Sequence, residues 1–213
     1  MMKGRDTMSN LAQNLLYENR KYEVINGIVI NMAPLAFESH ASLSGNIYTI
    51  FNYYLKGKRC KAYHDNMYVR LDKIKDIILP DKNKNDKLIP DVMVVCNRDI
   101  IHNDGIYGAP DLVVEVLSKS TSARDRNIKK ELYEIIGVKE YWIVSVVERS
   151  IEVYLLKNGK YVFDNTYHQY SEMDIEAIME DVLTPDKSII REFKTSIFDD
   201  LVVLIDDIFD KLD

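Results

Sequence analysis

A chain of 213 residues that is 46% hydrophobic and 29% charged is long enough for one domain with a real core. It contains no apolar run near the roughly 18 to 20 residues of a membrane span, so a soluble chain with no membrane partner is expected, and its start, MMKGRDTMSNLAQ, lacks the apolar stretch of a secretion signal. The net charge of −6 speaks against a polyanionic partner only until it is located: residues 171 to 213 carry 13 acidic and 4 basic side chains, leaving a mildly basic body compatible with nucleic acid.

In chain order, Leu11, Leu15 and Leu16 after Thr7-Met8-Ser9 predict a short N-terminal helix. Lys21 to Ile25, Asn26-Gly27 and Ile28 to Met32 predict a two-residue hairpin, because Asn-Gly accepts the positive φ angles of a type I′ turn. Glu23 lies on its first strand, sharing a face with Lys21 and Ile25, and faces either solvent or a cleft. Residues 39 to 56 predict an amphipathic helix with Leu43, Ile47, Ile50, Phe51, Tyr54 and Leu55 on one stripe, Ser39 as N-cap and Gly57 as the stop. His40 sits in its first turn. A strand or bent pair of strands follows over 60 to 71, then a surface loop over 72 to 87. Cys60 and Cys96, far apart in sequence, predict neither a disulfide framework nor a zinc site, so a reducing cytoplasm is the expected compartment.

Two apolar strands then each carry one carboxylate. Leu88 to Cys96 reads as a buried strand with Pro90 at its start, where a missing N–H does least harm, and Asp91 at its mouth. In Gly108 to Ser118, the residues Leu112, Val113, Val114, Val116 and Leu117 leave neither face polar, as in a strand buried on both sides. Glu115 is the anomaly there: a carboxylate in such a strand costs several kcal/mol, by rough estimate, unless a cation, a metal or a proton compensates it. Two adjacent strands with one carboxylate each are able to converge on magnesium or manganese, which prefer hard oxygen ligands. Taken singly, Asp91 is also an ordinary Pro-Asp turn residue and Glu115 a strand-end group reaching water.

Ser122 to Ile136 predicts a helix with Ile128, Leu132, Ile135 and Ile136 as core stripe and Gly137 as its end. Asp125, Lys129 and Tyr133 recur at i, i+4 and i+8 on the border of that stripe. An exposed Asp125–Lys129 pair is the ordinary explanation; a lysine bending back over the strand ends is the functional one. Three strands, 141 to 147, 151 to 157 and 161 to 167, finish a mixed α/β sheet, with Asn158-Gly159 as a second hairpin turn. The tail, 168 to 213, has too few apolar positions for a core of its own and is expected to pack on the body, giving one domain over 1–213.

The segments YEVINGIV, IPDVMVV, GAPDLVVEVLSKST and RDRNIKKELYEIIGVKEYWIV occur in the order and with the turns of the Uma-type family of restriction-endonuclease-like proteins, within the PD-(D/E)XK nuclease superfamily. The resemblance covers roughly Tyr22 to Tyr154. It implies a mixed sheet flanked by helices and magnesium- or manganese-dependent hydrolysis of phosphodiesters, with DNA as partner and RNA an open second substrate. Asp91 resembles the proline-linked aspartate and Glu115 the acidic residue of the D/E-x-K element, with the carbonyl of Val116 completing the metal ligands. The x-K position is Leu117, which ligates nothing, and the resemblance moves the lysine to Lys129, or else Lys130, on the following helix. Glu23 resembles the family's hairpin glutamate and His40 the histidine opening its first long helix. Lys119, Arg124 and Arg126, with His40, are the implied phosphate contacts, and a two-fold homodimer suits a two-strand cutter. The competing reading, fed by the missing lysine and the acidic tail, is a scaffold or nucleic-acid-binding protein that keeps the nuclease fold without turnover.

Overall fold

The computed structural model describes residues 21–32, 37–74, 77–181 and 188–212, so the helix expected around Leu11 to Leu16 lies outside the described residues. The chain opens with the hairpin β1 (Tyr22–Ile25) and β2 (Ile28–Asn31). Asn26 and Gly27 at its tip take φ of 53° and 73°, as a type I′ turn requires. Helix α1 (Glu38–Tyr54) follows, then β3 (Lys61–His64), β4 (Val69–Arg70), β5 (Lys87–Leu88), β6 (Val92–Val95), β7 (Ile101–His102), β8 (Gly105–Ile106) and β9 (Leu112–Leu117). Helix α2 runs through Ser122–Arg124, a π-helical middle Asp125–Lys129, and Lys130–Ile136. The strands β10 (Glu140–Ser145), β11 (Ser150–Lys157) and β12 (Lys160–His168) precede a helix α3 (Glu172–Glu180), a small hairpin of β13 (Glu192–Lys194) and β14 (Val202–Leu204), and a last turn α4 (Ile205–Ile208).

The mixed α/β architecture expected from the sequence is present. Its centre is a six-stranded sheet in the order β12-β11-β10-β9-β6-β3, in which only β9 and β10 run parallel. Alternation along β9 decides what each face packs against. Leu112, Val114 and Val116 point to the face covered by Leu43, Ile47 and Phe51 of α1, while Val113 points to the face covered by Leu132, Tyr133 and Ile136 of α2. The second face also receives a smaller sheet, β2-β1-β5-β4-β8-β7, through Ile25, Leu88, Val69 and Ile106. In the tail, Phe193, Leu201, Val203, Ile205, Ile208, Phe209 and Leu212 are buried in the α1-side core. The Glu140 carboxylate, wholly buried, accepts hydrogen bonds from Trp142 Nε1 (2.7 Å) and from Ser196 N (2.6 Å), tying that tail to β10.

Four local expectations are corrected. Helix α1 begins after Phe37, whose extended backbone caps it without a side-chain bond, so Ser39 lies in the first turn and is not the N-cap. The apolar run Leu88 to Cys96 is two strands, because the chain turns at Pro90: Leu88 pairs in the small sheet, whereas Val92 to Val95 pair in the large one. Ile128 is 36% exposed and leaves the predicted core stripe, because it falls at the edge of the inner face that Asp125, Lys129, Leu132, Tyr133 and Ile136 share at helical spacing. Cys60 and Cys96 are joined in a disulfide with Cα atoms 3.9 Å apart. The β3–β6 register pairs Lys61 with Val95, and one step outward the two cysteines face each other, a proximity that a sequence separation of 36 does not reveal.

Candidate active site

The β6–β9 ladder pairs Val92 with Val114 and Met93 with Val113. Continued by one residue, the register sets Asp91 opposite Glu115 on the same face, where facing carboxylates lie close enough to repel. Asp91 Oδ2 accepts a hydrogen bond from the Val116 amide at 2.7 Å, replacing a backbone partner just before β6 begins. Asp91, Glu115 and the Val116 peptide are thus held together at one end of two neighbouring strands.

Helix α2 supplies the cation. Lys129 is 2% exposed, and its Nζ lies 2.6 Å from Glu115 Oε1, 3.0 Å from Glu23 Oε1 and 3.9 Å from Asp125 Oδ1. The exposed Asp125–Lys129 pair of the ordinary explanation is therefore absent; both residues are buried. Lys130 points elsewhere, with its Nζ 3.5 Å from the centre of the Tyr154 ring. Glu23 reaches the cluster from β1 and also accepts from the Ile89 amide at 2.9 Å, so one carboxylate joins the hairpin, the β5–β6 turn and α2. Tyr133 donates to Glu115 Oε1 at 2.8 Å, and Tyr141 donates to the Asp125 carbonyl at 2.9 Å. Glu115 Oε1 thus already accepts two bonds, and among the described residues Oε2 is the oxygen left for a proton or a cation.

The electrostatics follow from burial. Burial, and then the charges of Asp91, Asp125 and Glu23, raise the Glu115 pKa well above the usual carboxylate range against the lowering pull of Lys129. Burial likewise raises Asp125. For Lys129 burial works the other way, but Glu115, Glu23 and Asp125 outweigh it and keep the ammonium charged across the neutral range. Burial also opposes protonation of His40, yet its hydrogen bond to Asp91 and a contact with the Val116 backbone raise its pKa. His40 Nε2 stands 3.4 Å from Asp91 Oδ2.

The other residues singled out in the sequence divide. Arg124 turns inward, with NH2 3.7 Å from Glu23 Oε2 and its buried Nε without a hydrogen-bond partner among the described residues. Arg126 forms an ion pair with Glu152, and Lys119 is exposed. Sequence reasoning did not place Asp125, Tyr133 or Tyr141 in the site. The i, i+4, i+8 spacing of Asp125, Lys129 and Tyr133 was the available signal.

Among the described residues no group of three or more His, Cys, Asp or Glu side chains stands ready around a metal. The donor set nonetheless fits magnesium, which binds through one or two carboxylates and keeps waters and substrate oxygens in its other positions. The buried carboxylates of Glu23, Asp91, Glu115 and Asp125 outnumber the cations Lys129 and Arg124 that face them, and the repulsion from the other three adds to burial in raising the Glu115 pKa.

A family model named Uma2, described as "Putative restriction endonuclease", matches residues 10–185. Among curated proteins, the uncharacterized protein slr1290 of Synechocystis sp. is 28% identical over 138 residues, covering 64% of this chain and 67% of that one. A solved structure from Anabaena variabilis, titled "a putative nuclease belonging to DUF820", matches with a TM-score of 0.61 at 18% identity, over 94% of this chain and 97% of the other. At that identity the likeness establishes the fold.

Proposed function

We propose that this chain, which belongs to the Uma2 family, is a magnesium-dependent endonuclease that hydrolyses DNA phosphodiester bonds, with manganese able to substitute. The observation that carries the reading is the buried Lys129 ammonium bonded to Glu115 and Glu23 beside Asp91. A lysine supplied by the helix takes the place that Leu117 vacates. Asp91, Glu115 Oε2 and the Val116 carbonyl would hold the cation, which when bound supplies Lewis-acid polarisation of the scissile phosphate.

This chain's residues do the rest. Lys129 stays protonated, so it serves as a fixed positive charge that stabilises the anionic transition state and not as a base. Glu23, the other partner of that ammonium, orients the attacking water. Tyr133 fixes the Glu115 carboxylate through Oε1 and leaves Oε2 turned to its task. His40 and Arg124 line the carboxylates from α1 and α2, and Lys119 and Arg126 meet flanking phosphates without reading bases. The same reading treats 1–213 as one folding unit, supported by the tail residues in the α1-side core, and takes a homodimer as the form that cuts both strands.

The test is nicking of supercoiled plasmid with magnesium, manganese or EDTA, alongside calorimetric titration of the metals. Wild-type protein should nick with either metal, and Glu115→Gln should lose nicking and metal uptake together. A wild-type protein that takes up no metal and leaves the plasmid intact would be a scaffold on a nuclease fold.

A further inference from the structure

The small sheet has a second face that the carboxylate cluster does not use. Along β1, Glu23 and Ile25 point inward, so Tyr22 and Val24 point outward. The β1–β2 register puts Asn31 beside Tyr22 and Val29 beside Val24 on that outer side, where Val29 is 60% exposed. Val24 pairs with Lys87 of β5, and Arg70 of β4 pairs with Lys87 in turn. Two tyrosines meet over this lysine. The rings of Tyr22 and Tyr68 have centroids 6.4 Å apart, and Lys87 Nζ lies 3.8 Å from the first centroid and 4.7 Å from the second.

The arrangement is fixed by its surroundings. Arg70 is gripped by Asp72 through two bonds of 2.8 Å and by Asp104 at 2.6 Å, so its charge is already offset. Gly105 allows this close layer, because a Cβ there would stand 2.6 Å from Arg70 Cγ and 2.8 Å from the Tyr68 carbonyl oxygen. Among the described residues no carboxylate pairs with Lys87, which is held by aromatic faces alone. The face also runs up to the cluster. Lys21 Nζ donates to the Asp65 carbonyl at 2.9 Å, and the Asp65 amide donates to the Asp91 carbonyl at 3.2 Å. Tyr22 and Glu23 are consecutive residues on opposite sides of one strand end, one turned to the aromatic face and the other to the carboxylates.

Aromatic side chains and an unneutralised cation, each half-buried on the outer face of a sheet, suit one kind of ligand: unpaired bases, which stack on the rings while their phosphates take the ammonium. A duplex keeps its bases stacked internally and offers them no such contact. We infer that the outer face of the small sheet, built on Tyr22, Tyr68 and Lys87, is a stacking platform for an unpaired nucleic-acid strand that continues past Lys21 to the carboxylate cluster. This rests on the nuclease reading above and adds the form of nucleic acid that the enzyme engages.

The test is anisotropy of the full chain, in EDTA to prevent cleavage, with labelled oligothymidine of about 15 nucleotides, a length within the range spanned by single-strand binding modules, and with a duplex of equal length. Tyr22→Leu and Tyr68→Leu should each weaken single-strand binding about 10-fold and Tyr68→Phe should restore it, because stacking needs the ring and not the hydroxyl. Lys87→Gln should reduce the salt slope of log K by about 0.7, the loss of one phosphate contact on a single strand. Thermal unfolding checks each leucine variant, and the Lys87→Gln slope decides the matter where one is unstable. Wild-type affinity in both leucine variants, an unchanged slope, an equal loss on the duplex, or a wild-type dimer that Tyr68→Leu dissociates would each overturn the platform. Plasmid nicking by wild-type protein separates the two readings. Nicking with ring-independent binding sinks the platform alone, and ring-dependent binding without nicking sinks the hydrolase alone.

Discussion

Replacing Lys129 by Met removes the cation from the most crowded place in the molecule. The methionine fills similar space, so the cost is electrostatic: Glu115, Glu23 and Asp125, at 2.6, 3.0 and 3.9 Å from the lost ammonium, remain buried without it. Removing one partner of a buried ion pair costs about 3–5 kcal/mol. For a domain of this size each kcal/mol shifts Tm by about 2–4 °C, so a fall of about 10 °C at pH 8 is expected. Without Lys129, Glu115 loses the influence that lowers its pKa and its folded value rises further. A carboxyl whose folded pKa lies above its unfolded value of about 4.3 contributes stability that is intact below the unfolded value and lost as pH rises through the folded one. The deficit of the variant should therefore be small at pH 5 and largest at pH 8, as urea unfolding at the two values would measure. Turnover should fall about 100-fold or more while magnesium affinity holds or rises, since a competing cation is gone. Lys130→Met is the internal comparison, because its cation–π contact with Tyr154 is worth under about 1 kcal/mol and lies away from the cluster. A Lys129→Met protein as stable as wild type at pH 8 would refute the claim that this lysine neutralises the site.

Two other anchors should be separable from the chemistry. Asp86 accepts from the Asn26 amide (2.8 Å), the Gly27 amide (2.9 Å) and Asn83 Nδ2 (2.7 Å), clamping the tip of the hairpin that carries Glu23. Asp86→Ala should cost about 3 kcal/mol, speed hydrogen exchange at Asn26 and Gly27, and lower turnover through Glu23; unchanged protection there would show that the hairpin needs no clamp. Glu140→Ala strands the donors Trp142 Nε1, Ser196 N and Ser196 Oγ and should cost about 2–4 kcal/mol. The chain has a single tryptophan, so a red shift of its emission reads loosening of the tail directly, and an unshifted spectrum would place the tail's hold elsewhere.

The carboxylates were legible because they break a strong pattern. Glu115 interrupts five apolar residues, and Asp91 follows a proline at a strand mouth, so each stood out against its own segment, and the β6–β9 register set them face to face as adjacency implied. The hairpin was legible for the same kind of reason, since Asn26-Gly27 leaves the chain few other choices. Helix α2 defeated the pattern. Hydrophobic spacing put Ile128 in the core stripe with Leu132, yet at 3.6 residues per turn Ile128 lies at the edge of the face that Asp125, Lys129, Leu132, Tyr133 and Ile136 share. The inner side thus exchanges an expected apolar side chain for Lys129 and Asp125, a buried charged pair that hydrophobicity alone does not announce.

That exchange also accounts for where the lysine comes from. A lysine at position 117 would share the face of Glu115 through strand alternation alone, at no cost in helix geometry. With leucine there, a cation has to arrive from the layer above, and Lys129 supplies it from the inner face of α2, where Tyr141 of the sheet donates to the Asp125 carbonyl. Tyr133, one turn further along, then meets the same Glu115 oxygen as Lys129. The helix therefore delivers a charge and a hydroxyl to one carboxylate from a single face. The i, i+4, i+8 spacing of Asp125, Lys129 and Tyr133 already put them on one helix face; it looked like a surface pattern because charged residues are rarely buried unless paired, until the fold set that face against Glu115 and Glu23.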